Sequence, residues 1–281
     1  MKRYFLQKKI HTILLEVFLL LFSLVVLIPL FMVLLGSFKT PAEAGKFNLR
    51  LPEVWQFQNY VEVFTDAGAG NAMLNSLIIT VAVVLITLFV GLPCAFIMAR
   101  RNSKFTEALR SYFNLGIIVP VSILPSIYLL KFLGLMGTKT GLILIYIGFR
   151  IPWVMFLCVG FIKSIPRELD EAAVVDGCGG RFGVLKMFSR VIFPLLKPIV
   201  FTSVIIIAMG AWNEFQMPLY FLSSVKNMTL PVTVYWFYGQ YYTSWNLVFA
   251  DLVLTATPII LLYIFCQKYI IAGMTAGAVK G

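Results

Sequence analysis

The feature that most constrains this chain is a series of long, almost uncharged apolar blocks. Hydrophobic residues make up 60% of the sequence and charged residues 12%, about half the charged share of a typical soluble domain. A helix needs roughly 20 consecutive apolar residues to cross a bilayer, and several blocks reach that length. The sequence therefore predicts an all-α, polytopic membrane protein with six transmembrane helices. The expected spans are residues 13–38, 73–98, 115–135, 141–162, 199–222 and 247–266.

Two of these spans have alternative interpretations. The third contains Pro120 and Pro125, which membrane helices tolerate where neighbouring helices or water satisfy the freed carbonyl groups. The first could be a secretory signal peptide, because Ala42-Glu43-Ala44 resembles a cleavage site. Its apolar run is longer than the roughly 7–15 residues of a signal peptide, so we expect a retained helix.

The distribution of positive charge predicts the orientation of the chain. The net charge of +11 could indicate nucleic-acid binding, but the Lys and Arg residues stand near the ends of the spans. Sixteen of them fall in the tail 1–12, the second and fourth connections and the tail 267–281, and six fall on the other side. By the positive-inside rule, both termini are expected in the cytoplasm. We expect a multi-pass protein of the cell membrane that contacts lipid and binds no nucleic acid.

Motifs of catalysis and cofactor binding are missing from the sequence. No G-x-x-x-x-G-K-[ST] phosphate-binding loop occurs, and the single histidine is His11 in the basic tail. Histidine-based triads and metal pairs are therefore unavailable. We expect no enzymatic activity, no catalytic residue, no metal site and no cofactor in this chain.

The longest polar interruption, residues 164–197, carries strong helix signals. Pro166 suits the first turn of a helix, acidic residues follow where a helix has its positive end, and Gly177 suits a left-handed C-terminal cap. These signals predict a helix of about ten residues outside the membrane core. Its predicted outward face has the i, i+3, i+4, i+7 spacing and consists of Leu169, Ala172, Ala173 and Asp176.

Small and acidic residues on this helix indicate a protein partner. Two alanines let another surface approach the backbone closely, and Glu171 can pair with a cation. The alternative is a helix that lies on lipid headgroups, which would carry bulky apolar and basic residues instead.

Several motifs resemble one transporter family. Glu171-Ala172-Ala173 followed by Gly177, and then Val191-Ile192-Phe193-Pro194, resemble the EAA loop of ABC importer permeases. The segment between Gly177 and Pro194 is longer than the family pattern by about one helical turn. Further motifs are similar to maltose-type carbohydrate permeases, in particular the MalG-like subunit: Asn59-Tyr60, Asn75-Ser76, Trp212-Asn213-Glu214-Phe215, Thr229-Leu230-Pro231 and the ending 273–281.

The resemblance implies a type I ABC importer permease fold, with 13–281 as a single transmembrane domain. It implies import of sugars, with di- or oligosaccharides as the expected class, through a pathway of which this subunit forms half. The implied partners are a second, MalF-like permease, two copies of an ATPase that binds ATP and Mg, and an extracytoplasmic sugar-binding protein. The residues implied in ATPase coupling are Glu168, Leu169, Glu171, Ala172, Ala173, Asp176 and Gly177. The tail implied to approach the ATPase is Gly277, Ala278, Val279, Lys280 and Gly281.

Ionisable residues inside spans are costly and indicate function. At their predicted depths Arg150 could pair with Glu214 or with Asp251, either to hold the bundle together or to contact sugar. The candidate pathway residues are Trp212, Asn213, Glu214 and Gln216. The alternative function is a self-sufficient secondary transporter or channel, which would need paired intramembrane carboxylates or a selectivity ring.

Overall fold

The computed structural model describes residues 2–180, 182–222, 224–238 and 243–278, with side chains described within 12–267 of these ranges. Apart from one isolated bridge between Tyr238 and Thr243, the described residues form helices and the connections between them. The predicted all-α fold is confirmed. The chain forms two compact units, one of Met1–Gly70 with Thr233–Ala256 and a larger one of Asn71–Val232 with Thr257–Gly281.

Fourteen α-helices lie within the described ranges. They are α1 (Lys2–Gly36), α2 (Pro41–Ala44), α3 (Gln58–Asp66), α4 (Ala69–Arg100), α5 (Lys104–Ile118), α6 (Ile123–Phe132), α7 (Lys139–Ser164), α8 (Glu168–Ala173), α9 (Gly183–Met187), α10 (Phe193–Leu195), α11 (Lys197–Trp212), α12 (Gln216–Phe221), α13 (Leu230–Phe237) and α14 (Trp245–Ala278). Wider π-helical turns at Val174–Cys178 and Phe188–Ile192 follow α8 and α9.

Four helices are long and apolar enough to cross a membrane alone: α4, α7, and the segments Thr12–Gly36 of α1 and Trp245–Gln267 of α14. They correspond to the first, second, fourth and sixth predicted spans. Two bent helix pairs raise the number of candidate spans to six, which agrees with a multi-pass membrane protein. The predicted tail 1–12 is helical from Lys2 and continues directly into the first span.

The prediction for the third span, 115–135, is wrong in its bounds. α5 ends at Ile118, α6 begins at Ile123, and the two helix axes differ by 116°. Pro120 lies in the break, where it removes a backbone donor and disfavours helical geometry in the preceding residue. The apolar run that looked like one span is therefore the end of one helix and the start of another.

The predicted fifth span, 199–222, is also broken. α11 has 16 residues, about 24 Å at 1.5 Å per residue, and it is bent by 79° from the helical segment Gly183–Leu195 before it. α11 ends at Trp212. At the start of the next helix, Glu214 Oε1 accepts a hydrogen bond from the Gln216 backbone N–H at 2.9 Å. α12 then continues the chain as a separate helix.

The apolar core of the larger unit is built from facing sides of α4, α7 and α11. Val83 and Ala95 of α4 and Cys158 and Ile162 of α7 are all fully buried. Gly91 allows close approach, because a Cβ there would lie 3.0 Å from Cγ1 of Val154. Since lipid is as apolar as this core, the packing is stabilised mainly by van der Waals contacts.

In the smaller unit, polar side chains form hydrogen bonds that fix the backbone just after α1. Asn59 Nδ2 donates to the carbonyl oxygens of Ser37 at 2.8 Å and Lys39 at 2.9 Å, and Asn59 Oδ1 accepts from Asn246 at 2.8 Å. Lys39 is 2% exposed and donates to the Asn48 carbonyl at 2.8 Å. Asn59, one of the motif residues, thus has a structural role.

The span of α1 packs very little against the rest of the chain. None of the residues in its most apolar window is buried, against 39% in α4 and 44% in α7. A helix that is apolar all round is stable where lipid or other helices cover it. This surface is therefore available to lipid or to another subunit.

Candidate functional site

The predicted cytoplasmic segment contains a short helix. Three acidic residues occupy the first turn of α8, where they interact favourably with the positive end of the helix. Gly177 has a φ of +89°, the left-handed conformation that commonly ends helices, so the predicted cap is confirmed. The regular α-helix has 6 residues, fewer than the predicted ten, because a wider turn at Val174–Cys178 replaces its second half.

Most of the residues assigned to this helix are on the surface. Exposed members of the predicted coupling set are Glu168, Leu169, Glu171, Ala172, Asp176 and Gly177. Ala173 is 4% exposed and packs into its own chain, so the prediction that it faces a partner is wrong. Successive residues of a helix differ by about 100°, and this rotation separates Ala172 from Ala173. We name Glu168, Glu171, Ala172 and Val175 the coupling face.

Val175 is a member of this face that sequence reasoning missed. Its side chain is 87% exposed, and the neighbouring Val174 is 51% exposed. Valine in an apolar run looks like a core residue. Its position after the acidic turn of α8 was the one signal in the sequence that could have indicated exposure. The coupling face thus combines an exposed valine and a small alanine with two carboxylates.

The inner side of α8 is tied to the end of α4 by an ion pair. Asp170 Oδ2 lies 2.7 Å from Arg100 Nε, and Oδ1 accepts from Arg100 Nη2 at 3.2 Å. Arg100 Nη1 also donates to the Ile165 carbonyl at 3.0 Å. Among the side chains that the structure describes, this is the one ion pair. Sequence reasoning used Arg100 only as a topology signal.

The rest of the segment explains how its extra length is accommodated. Gly183 begins α9, and a Cβ there would overlap the carbonyl oxygen of Cys178. α9 leads into the wide turn Phe188–Ile192 and then into α10, which contains Pro194. The additional residues thus form a helix and a wide turn before the proline. Arg181 lies outside the described residues.

Two of the predicted intramembrane charges face a single cavity of about 250 Å³, which we name the Arg150 cavity. Arg150 of α7 and Glu214 line it together with Tyr146. The Tyr146 hydroxyl is buried and has no hydrogen-bond partner among the described residues. Gly210 makes room for the charge, because a Cβ there would overlap the Arg150 guanidinium.

The predicted ion pair between Arg150 and Glu214 is not a direct contact. No nitrogen of the described Arg150 lies within 4.0 Å of a Glu214 oxygen. The carboxylate instead caps α12, so the prediction is corrected to opposite charges that line one cavity. Asp251 belongs to the smaller unit, where it is fully buried and accepts from Thr233 Oγ1 at 2.8 Å. Its pairing with Arg150 stays a prediction.

The four candidate pathway residues do not line one cavity. Trp212 is 3% exposed and lines a different cavity of about 320 Å³, with apolar neighbours such as Pro258. Asn213 and Gln216 are exposed on the surface. Of the four, Glu214 is the one that lines the Arg150 cavity.

Two of the sequence motifs meet in space. Asn75 Nδ2 donates to the carbonyl oxygens of Lys226 and Met228, each at 2.9 Å, and Lys139 Nζ donates to Asn75 Oδ1 at 2.9 Å. Ser76 Oγ accepts from the Leu230 backbone N–H at 2.8 Å. The start of α4 therefore holds the loop that carries the Thr229–Pro231 motif.

The proposed C-terminal contact lies mostly outside the structure. α14 extends past the predicted end of the sixth span to Ala278, so Gly277 and Ala278 are helical. Val279, Lys280 and Gly281 lie outside the described residues.

Comparison with known proteins gives the family. Residues 91–276 match the family described as the binding-protein-dependent transport system inner membrane component. This match covers more than half of the sequence. The chain belongs to this family. It is a membrane component of a transport system, and the prediction that it is not itself an enzyme agrees with that assignment.

Relatives and a solved structure extend the likeness to most of the chain. The multiple sugar-binding transport system permease protein MsmG of Streptococcus mutans is 37% identical, over 92% of this chain and 93% of its own. The melibiose/raffinose/stachyose import permease protein MelC of Bacillus subtilis is 35% identical, over 90% and 91%. A bacterial ABC transporter involved in alginate import matches at 22% identity with a TM-score of 0.78, over 93% and 97%. The ABC importer permease fold is confirmed.

Proposed function

We propose that this protein is the MalG-like permease subunit of an ATP-driven, binding-protein-dependent importer of di- or oligosaccharides. It forms half of the translocation pathway and couples to a separate ATPase through α8. The family assignment supports the transport role, and the sugar-specific names of relatives that match over nine-tenths of the chain support the substrate class.

The assembly follows from the same assignment. A second, MalF-like permease completes the pathway, two copies of an ATPase bind ATP and Mg, and an extracytoplasmic protein delivers the sugar. Both termini and residues 164–197 face the cytoplasm, as the excess of Lys and Arg on that side predicts.

The observation that carries the proposal is the coupling face. Val175 is 87% exposed on the wider turn that follows α8, and the outward carboxylates of α8 are Glu168 and Glu171. Anionic lipid headgroups repel carboxylates and attract Lys and Arg, so a membrane surface would not stabilise this face. A protein cleft with a cation and an apolar pocket would satisfy both features.

The Arg150 cavity is the best candidate for contact with sugar. Arg150 and Glu214 offer charged hydrogen-bonding groups, and Trp153 presents a half-exposed aromatic face. The Tyr146 hydroxyl has no hydrogen-bond partner in the part of the chain that the structure describes. Sugar sites combine an apolar lining with a few convergent polar groups of this kind.

Reconstitution in proteoliposomes tests the proposal. The permease pair, ATPase and binding protein should take up radiolabelled sugar with ATP inside, and an ATPase variant without its phosphate-loop lysine should abolish uptake. A secondary transporter would behave differently: this chain alone would accumulate sugar on an ion gradient without ATP. That second result would overturn the proposed function.

A further inference from the structure

We propose that Arg100 and Asp170 form a clamp that makes α4 move together with α8, so that Arg100 is a positioning residue for energy coupling. The inference rests on the proposed function, because it concerns how a movement of the coupling face reaches the spans. Arg100 ends α4 and Asp170 lies in the first turn of α8.

Both terminal nitrogens of the Arg100 guanidinium donate hydrogen bonds. Nη2 donates to Asp170 Oδ1 at 3.2 Å and Nη1 donates to the Ile165 carbonyl at 3.0 Å. Nε lies 2.7 Å from Asp170 Oδ2, a charge contact without hydrogen-bond geometry. In return, Arg167 Nη2 donates to the Arg100 carbonyl at 3.4 Å. Hydrogen bonds from two nitrogens of one planar guanidinium, to two different groups, fix its orientation as well as its distance. The connection from α7 to α8 is therefore fastened to the end of α4 at several points.

Burial makes this contact stronger than an ordinary surface ion pair. The Arg100 and Asp170 side chains are 13% and 18% exposed, and salt screens such pairs less than exposed ones. A cavity of about 510 Å³ beside them has mostly apolar walls, which include Phe96 and Met187. Removal of one partner would leave the other charge largely buried without compensation.

The fold shows why α8 requires such a contact. Its α-helical part has 6 residues and its N-terminus has no side-chain cap, and isolated helices of that length are unstable in water. Ala173 and Asp170 both face the chain, while the coupling face points away from it. A displacement of the coupling face would therefore be transmitted through Asp170 to Arg100. α4 would transmit the displacement to α7 at the close contact between Gly91 and Val154.

The experiment compares single and reversed variants in the reconstituted complex. Arg100→Ala and Asp170→Ala each break the pair, and Arg100→Asp combined with Asp170→Arg restores opposite charges. Arg101→Ala is the matched control, because it removes the adjacent exposed arginine. Measured quantities are complex abundance, ATP hydrolysis stimulated by the sugar-loaded binding protein, and sugar imported per ATP hydrolysed.

We expect each single variant to import several-fold less sugar per ATP hydrolysed than the parent. Arg101→Ala should match the parent, and the reversed pair should recover most of the loss. If a single variant fails to assemble, Arg100→Lys keeps the charge without the two-point contact and should show an intermediate ratio.

Two results would overturn the clamp. One is a normal ratio of sugar to ATP in assembled Arg100→Ala and Asp170→Ala complexes. The other is a reversed pair no better than either single variant. In both cases a parent that still couples import to ATP would leave the proposed function standing. A parent without ATP-dependent import would instead refute the proposed function itself.

Discussion

Val175→Ala removes two carbon atoms from the most exposed valine of the coupling face. In this chain the Val175 side chain is 87% exposed, so its truncation leaves the permease fold almost unchanged. If a cleft of the ATPase covers this side chain, the loss appears instead in the affinity between the subunits. The variant thereby separates a docking role from a structural one.

The expected size follows from the buried area. Each buried CH₂ group contributes about 0.8 kcal/mol, so truncation costs about 1.6 kcal/mol of binding free energy. That corresponds to a Kd about 15-fold higher, since each 1.4 kcal/mol is a factor of ten. Because the partner permease would bring its own docking helix, the ATPase should still bind, but more weakly.

The assay is binding of fluorescent ATPase subunit to the permease pair in lipid nanodiscs. Val54→Ala is the matched control, because Val54 is 62% exposed and lies on the opposite predicted side of the membrane. We expect parental affinity from the control and weakened affinity from Val175→Ala. Equal affinity for all three proteins would refute the assignment of Val175 to the interface.

The remaining predictions concern other parts of the molecule. Ala172→Trp should overfill the docking contact, at about 1–3 kcal/mol, and lower sugar-stimulated ATP hydrolysis without loss of membrane insertion. Gly177→Ala meets open space but keeps a φ of +89°, so the strain of about 1–2 kcal/mol should speed hydrogen exchange across α8. Tyr146→Phe should leave thermal stability unchanged or raised, because the hydroxyl is an unpaired buried group, while half-maximal transport requires several-fold more sugar. A cysteine at Lys186 should react with impermeant reagents only in inverted vesicles, and external labelling would contradict the orientation.

Features set by local physics could be predicted from the sequence. The spans follow from apolar runs, because the hydrocarbon core demands a minimum length. The left-handed Gly177 follows from the absence of a Cβ. The residues around Pro120 are apolar, and hydropathy does not register a change of helix direction, so the prolines were expected to be tolerated within one span. The break after Trp212 was missed although the polar residues Asn213 and Glu214 follow it.

Contacts between distant residues could not be predicted in this way. Asn75 and Lys226 are 151 positions apart, and Arg100 and Asp170 are 70 apart. No local pattern in one sequence relates such pairs. The prediction for Ala173 failed for a different reason. In a helix of one or two turns, tertiary packing decides which side faces the protein, and the Asp170 contact turns that side of α8 inward.

The central claim is that α8 presents the coupling face to an ATPase, and neighbouring alanines test it most directly. In a permease whose four native cysteines are replaced by serine or alanine, cysteine is introduced either at Ala172, which is exposed, or at Ala173, which is 4% exposed. Crosslinking with a short homobifunctional thiol reagent to single-cysteine ATPase variants is then measured in membranes. We expect Ala172→Cys to form the crosslinked product, with ATP changing its yield, and Ala173→Cys to form little. Efficient crosslinking from Ala173→Cys with none from Ala172→Cys would contradict this account.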